Sequence, residues 1–194
     1  MNGMPLVLLI YSTFTINIVL QCALGIKGIV DSKNHFNLSS MIKVSLIFLS
    51  VIISWFFFSR IIFSVISVFL MYILMFPVSS MIYTGFEYIV FAFLLKKGAK
   101  YESVIDFPGV ITAVAVFVCI NISHNIFETV VLSFGFVFGI FLVNILVYEI
   151  RKRASLEAVP AFLRGKPLVL VTMGLLSLVF TTASILLFRM IGEL

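Results

Sequence analysis

The chain has 194 residues, of which 62% are hydrophobic and 11% are charged, and its mean hydropathy is +1.26. Soluble domains are about half apolar and a quarter charged, so this composition excludes an ordinary water-soluble domain. The net charge of +5 does not indicate a nucleic-acid partner, because nearly all Lys and Arg lie between apolar segments, where they act as topology signals in a lipid bilayer.

Six apolar segments predict six transmembrane helices, because each has close to the ~20 residues that a helix needs to cross hydrocarbon. Their residues do not alternate between apolar and polar, as the strands of a membrane barrel would. The segments lie at about 4–26, 41–59, 73–95, 103–122, 126–149 and 167–190. Residues 41–95, with possible breaks at Arg60 and Pro77, could also hold three short helices instead of two with an interfacial piece between them.

The distribution of Lys and Arg favours six crossings and predicts their orientation. With six crossings, 11 of the 13 basic residues fall on one side, and only Arg60 and Arg189 fall on the other. Because cytoplasmic loops collect Lys and Arg, both termini are expected on the outer side. The fold class is therefore an all-α membrane protein, a single integral domain over residues 1–194. Its half-repeats, 4–95 and 103–190, begin on opposite sides and form two inverted three-helix repeats.

The first and fifth segments carry patterns that favour packing between helices. Thr13, Asn17, Gln21 and Gly25 are spaced by four and form one stripe on a helix, which favours hydrogen bonding and close packing between helices. In the fifth segment, the pattern from Gly135 to Gly139 permits a neighbouring helix to approach closely.

The third segment carries Ser80, Thr84 and Glu87 at helical spacing, and Glu87 is the only carboxylate well inside a segment. An intramembrane carboxylate is a candidate for binding or moving a cation. The alternative is a protonated Glu87 that is hydrogen-bonded to a neighbouring helix. Glu87 is therefore the candidate ion-pathway residue.

The fourth segment begins with Asp106-Phe-Pro-Gly109, which predicts either a broken helix or a simple helix start at Pro108. His124 lies in a short outer loop, where a solvated histidine is the expected state. The sequence has no phosphate-binding glycine loop, nucleophile elbow or zinc motif, so it does not indicate an enzyme that is catalytic alone.

Three motifs in the last quarter of the chain carry a family resemblance. They are Ile150-Arg-Lys-Arg153, Val159-Pro-Ala-Phe-Leu-Arg-Gly165 and Thr172-Met-Gly-Leu-Leu-Ser-Leu-Val-Phe180. In these motifs the chain resembles the membrane subunits of Rnf/Nqr-type redox pumps, of the RnfA and NqrE type. The resemblance extends over nearly the whole chain, strongly after residue 119 and weakly before it.

The resemblance implies a multi-pass subunit in the bacterial inner membrane, with both termini on the periplasmic side, in a translocase that couples electron transport to Na⁺ or H⁺ translocation. Family members pair with a homologous subunit of inverted orientation, and each contributes two cysteines to a shared 2Fe–2S cluster. They also carry an acidic residue where Glu87 lies, which implies a role for Glu87 in the ion pathway.

The chain departs from the family at the cysteine positions, which correspond here to Lys27 and to Ala113 or Val114. Cys22 and Cys119 lie about five residues from those positions, and in antiparallel helices both displacements point to the same membrane face. Cys22 and Cys119 are therefore candidate ligands of a relocated cluster. The alternative is that both are small buried packing residues.

Three functions follow. The first is a subunit of an ion-coupled electron-transfer complex, which predicts iron in the purified complex. The second is a cluster-free paralogue that acts as a scaffold in such a complex. The third is a small-solute or ion carrier, with Asp106–Gly109 and Glu87 lining its site, which predicts transport by this chain alone.

Overall fold

The computed structural model describes residues 4–21, 38–62, 67–94, 108–156, 160 and 166–192, and every element in these ranges is helical. In chain order the helices are α1 (Met4–Ile10), α2 (Ile18–Gln21), α3 (Leu38–Phe57), α4 (Val68–Leu94), α5 (Pro108–Ile122), α6 (Ile126–Leu156) and α7 (Lys166–Gly192). Two π-helical turns, Tyr11–Thr15 and Phe58–Ile62, continue α1 and α3.

Four of these helices, α3, α4, α6 and α7, are long and apolar enough to cross a membrane. Two further apolar helical segments, Pro5–Gln21 and Pro108–Ile122, are shorter. The all-helical architecture with several such helices is that of a multi-pass membrane protein. Within the described residues, each of the six apolar segments of the sequence thus contains an apolar helical segment, and four of these are long enough to cross a membrane.

Within the described part of region 41–94, α3 and its π-helical turn end at Ile62, and α4 begins at Val68. α4 begins at Val68 rather than near residue 73, so Pro77 lies inside a continuous helix instead of marking a break. Proline removes one backbone donor, but neighbouring helices and hydroxyl side chains make this tolerable in membrane helices. The two helices predicted for this region are present among the described residues as α3 and α4, and α4 begins earlier than expected.

Contacts between side chains establish the direction of each helix. α1 runs parallel to α6, since Leu9 and Ser12 lie against Gly135 and Asn17 lies against Gly139. α7 runs antiparallel to α1, with the ring of Phe188 near Tyr11 and that of Phe180 near Phe14.

In the other half of the bundle, Tyr72 contacts Asn121 and Ser80 contacts Gly109, so α4 and α5 are antiparallel. Lys43 pairs with Glu87, so α3 and α4 share one end of the bundle, and a three-residue turn reverses the chain between α5 and α6. Successive apolar segments therefore alternate in direction along the whole described chain.

The core lies where α3, α5 and α6 meet, and α4 and α7 are peripheral. Half of the apolar window of α3 and of α6 is buried inside the bundle, against 22% for α4 and α7. The outer surfaces of the two peripheral helices carry large exposed apolar side chains such as Phe69, Met81, Leu175 and Leu178. Such a surface is stable against lipid or another membrane protein, and not against water.

Candidate functional site: polar groups inside the helix bundle

The first apolar segment is interrupted at Ile16 and Asn17, between the π-helical turn and α2. The Asn17 side chain, only 1% exposed, bridges the interruption. Its Oδ1 accepts hydrogen bonds from the backbone N–H groups of Val19 and Leu20 at 3.2 and 3.3 Å, and its Nδ2 donates to the Thr13 carbonyl at 3.0 Å. Asn17 therefore acts as the N-cap of α2 and satisfies backbone groups that the break would leave unpaired.

This break was not expected from the sequence, which pointed instead to Asp106–Gly109. There the described part of α5 begins at Pro108, and Asp106 lies outside the described residues, so a broken helix and a simple helix start both stay predictions. The signal that could have located the break was Asn17 itself, since a buried Asn within a helix competes for local backbone groups.

Gly135 and Gly139 hold α6 against the interrupted segment. A Cβ added at Gly135 would overlap Ser12 Oγ and lie 3.1 Å from the Leu9 carbonyl oxygen. One added at Gly139 would lie 2.8 Å from Asn17 Nδ2. The predicted close approach at these glycines is confirmed, and its partner is the segment that contains the break.

The polar stripe of the first segment makes the interhelical contacts predicted for it. Thr13 Oγ1 donates to the Gly135 carbonyl at 3.3 Å, and Gln21 Nε2 donates to Thr181 Oγ1 on α7 at 3.3 Å. Asn17 bonds within its own segment, and Gly25 lies outside the described residues. The stripe thus links the first segment to both α6 and α7.

The side chain of Glu87 contacts the neighbouring helix α3, where its Oε1 lies 3.2 Å from Lys43 Nζ. The side chains of Lys43 and Glu87 are 11% and 27% exposed. Lys43 therefore has a specific partner inside the bundle. In the sequence it was counted only among the basic residues that predict the orientation of the chain. Of the other members of the predicted stripe, Ser80 packs on Gly109 and Thr84 donates to carbonyls of its own helix.

Several buried hydroxyl groups have no hydrogen-bond partner among the described residues. Tyr83 Oη lies on α4 one turn before Glu87, and Ser50 and Ser54 lie one turn apart on α3, with all three side chains 0% exposed. Buried unpaired polar groups in a membrane interior are unfavourable unless a ligand, water or partner supplies a bond. The serine pair at i and i+4 was visible in the sequence as a polar stripe and was missed.

Cys119 lies on α5 with its side chain 0% exposed, packed in the apolar core. Iron–sulfur ligation needs a thiolate that the cluster can reach, and a cluster shared by two subunits lies at their interface. The described residues of this chain enclose the Cys119 side chain, and its ligation of a cluster stays a prediction. Cys22 lies outside the described residues, and within the described part no group of three His, Cys, Asp or Glu side chains is placed to hold a metal ion.

The positions that correspond to the family cysteine in the fourth segment lie elsewhere on α5. Ala113 and Val114 line a cleft of about 190 Å³ between α4 and α5, beside Tyr72, Phe76 and Phe117. Phe76 and Phe117 are about half exposed, so this cleft faces outward. Ala113 and Val114 are thus among the apolar residues that line this cleft, whereas the Cys119 side chain is buried in the core.

No protein-family model matches the chain. Over 61 residues it is similar to the RnfA subunits of the ion-translocating oxidoreductase complexes of Pectobacterium atrosepticum, with 39% identity, and of Edwardsiella ictaluri and Shewanella piezotolerans, each with 43% identity. Each match covers 31% of this chain and 32% of the relative. The chain thus spans about a third of the length of the curated relatives that it matches.

Proposed function

We propose that the chain is a membrane subunit of an Rnf/Nqr-like ion-translocating oxidoreductase complex. The observation that carries the proposal is the 39% to 43% identity over 61 residues to RnfA subunits of such complexes. The helical, apolar architecture agrees with this role. In this role the chain would contribute to electron transport coupled to Na⁺ or H⁺ translocation without being catalytic alone.

The proposal includes six crossings arranged as two inverted three-helix repeats. Its support is a pattern that occurs twice along the described residues: an apolar helical segment, then a helix half buried in the bundle, then a helix only 22% buried. The alternating helix directions support an inverted orientation of the second copy relative to the first. In this proposal the first and fourth apolar segments are equivalent, and each begins one half.

The proposed orientation has both termini on the periplasmic side of the inner membrane. Its support is the position of the basic residues of the described chain. Lys43, Arg151, Lys152, Arg153 and Lys166 lie at the end of the bundle where α3 and α7 begin, whereas Arg60 and Arg189 lie at the other end. Cytoplasmic ends of membrane proteins are enriched in Lys and Arg.

The partners proposed are a homologous subunit of inverted orientation and further subunits of the redox complex. The exposed apolar surfaces of α4 and α7 support a location among lipids and other membrane subunits. Within this chain, Glu87 is the proposed ion-pathway carboxylate, since it is a partly buried charged group held inside the bundle.

A cluster-free role within the complex is favoured by one observation, the burial of Cys119. Ligation by Cys22 and Cys119 stays a prediction. In the described arrangement the thiol on α5 points into the core of the bundle, while Ala113 and Val114 line the outward cleft. The chain would then contribute structure and ion handling, and a 2Fe–2S cluster would belong to other subunits.

Membership of a complex is tested by purification. A tagged chain extracted from its native membranes in mild detergent is expected to bring with it further redox subunits, including a homologous six-helix protein, identified by mass spectrometry. An unrelated tagged multi-pass protein from the same membranes is the control. A chain that purifies alone and transports a solute or ion in liposomes would contradict the proposal and favour a carrier.

The cluster-free role is tested on the same preparation with Cys22→Ser and Cys119→Ser, singly and together. Iron content and the electron spin resonance signal after reduction are expected to equal those of the wild-type complex. Cys119→Ser is expected to lower the free energy of unfolding by about 1 kcal/mol, because it places a hydroxyl in an apolar core. Loss of a cluster signal in the double variant, with the complex still assembled, would instead establish ligation.

A further inference from the structure

The Lys43–Glu87 pair lies inside the helices and not in the loops. Lys43 is the sixth residue of α3, and Glu87 lies seven residues before the end of α4, so each is one to two turns from its helix end. The 3.2 Å separation and the low exposure of Lys43 describe a partly desolvated ion pair. Because removal from water is unfavourable for each charge alone, each group here depends on the other for neutralisation.

A second polar group lies beside the pair. Tyr83 precedes Glu87 by four residues and so lies on the same face of α4, and its buried hydroxyl has no hydrogen-bond partner among the described residues. Carboxylate and hydroxyl oxygens are the ligand atoms that hard cations prefer. Without Lys43, the Glu87 carboxylate would lose its ion-pair partner among the described residues, on the face of α4 that also carries Tyr83.

We propose that the Lys43 ammonium is a tethered cation that competes with free monovalent cations for the Glu87 carboxylate and keeps this site closed to them. The ammonium is a compact point charge with the same unit charge as Na⁺ and is held on the neighbouring helix at high local concentration. While it is bound, a second cation would meet a neutral pair and gain little attraction. The inference rests on the Glu87 part of the proposed function.

The test uses the purified full-length chain in detergent and measures its thermal unfolding in NaCl and in choline chloride at equal ionic strength. The wild type is expected to unfold at the same temperature in both salts. Lys43→Met leaves Glu87 uncompensated, so saturating Na⁺ is expected to raise the unfolding temperature by about 5 °C relative to choline. Lys43→Met/Glu87→Gln removes the carboxylate as well and is expected to lose this difference.

Lys43→Arg is the matched control that keeps the charge, and it is expected to behave as the wild type. If Lys43→Met does not fold, Lys43→Gln serves in its place, and binding of radioactive Na⁺ provides a second readout on the folded protein. A wild type with the same Na⁺ response as the variant would overturn the proposal. So would a folded Lys43 variant that neither responds to Na⁺, Li⁺ or K⁺ nor binds radioactive Na⁺. Failure of the proposed function would be seen separately, as failure to purify with redox subunits.

Discussion

Replacing Gly135 by leucine is expected to separate α6 from α1 and to lower the free energy of unfolding by about 3 kcal/mol or more. A Cβ alone would already overlap Ser12 Oγ and press on the Leu9 carbonyl oxygen at 3.1 Å. Ser12 could rotate, but the carbonyl belongs to a helical backbone and cannot move without displacing α1. A branched side chain would therefore force the two helices apart, which also removes the hydrogen bond from Thr13 to the Gly135 carbonyl.

The matched controls are Gly85→Leu on α4 and Gly174→Leu on α7, where an added Cβ meets nothing within 4 Å. Because glycine inside a helix is less favourable than a helix-forming residue by about 0.5–1 kcal/mol, these two changes are expected to be neutral or slightly stabilising. Unfolding in a detergent mixture of increasing denaturing strength, followed by circular dichroism, compares all three variants. Equal stability of Gly135→Leu and the two controls would show that the close contact between α1 and α6 does not form.

Asn17→Ala is expected to destabilise the first apolar segment and to lower the free energy of unfolding by about 3 kcal/mol. The change removes the acceptor for the backbone N–H groups of Val19 and Leu20 and the donor to the Thr13 carbonyl, all in a region closed to water. A buried backbone group left without a partner is unfavourable by about 1–3 kcal/mol, and loss of an N-cap by about 1 kcal/mol. The result should be fraying of α2 and loss of its contact with α7 through Gln21.

The comparison for this prediction is Asn121→Ala. Asn121 also makes side-chain hydrogen bonds, to Tyr72 and to the Phe117 carbonyl, but it is exposed. Its replacement is expected to lower the free energy of unfolding by less than about 1 kcal/mol, since exposed groups can find other hydrogen-bond partners. Hydrogen exchange followed by mass spectrometry would report faster exchange in residues 11–21 of Asn17→Ala alone. Unchanged protection of that segment would contradict the capping role.

The sequence determined the class of the protein and the position of its apolar helices. Runs of about 20 apolar residues have no stable arrangement in water and only one backbone arrangement in hydrocarbon, so their helical, membrane-embedded state follows from local composition. The sequence also predicted the close approach at Gly135 and Gly139, because the absence of a side chain is a property of the residues themselves. The inverted repeat and the ion-pathway role of Glu87 stay predictions.

The structure decided which groups meet. The partner of Glu87 is Lys43, 44 residues earlier, and no local pattern connects them, since their contact depends on α3 and α4 running antiparallel with a particular register. Gly139 of a distant helix likewise lies against Asn17 at the break, and the local sequence does not identify that partner. The inward direction of Cys119 depends on which face of α5 is covered by its neighbours. Helix period gives the faces of each helix, but only the packing of segments distant in the chain determines which faces are brought together.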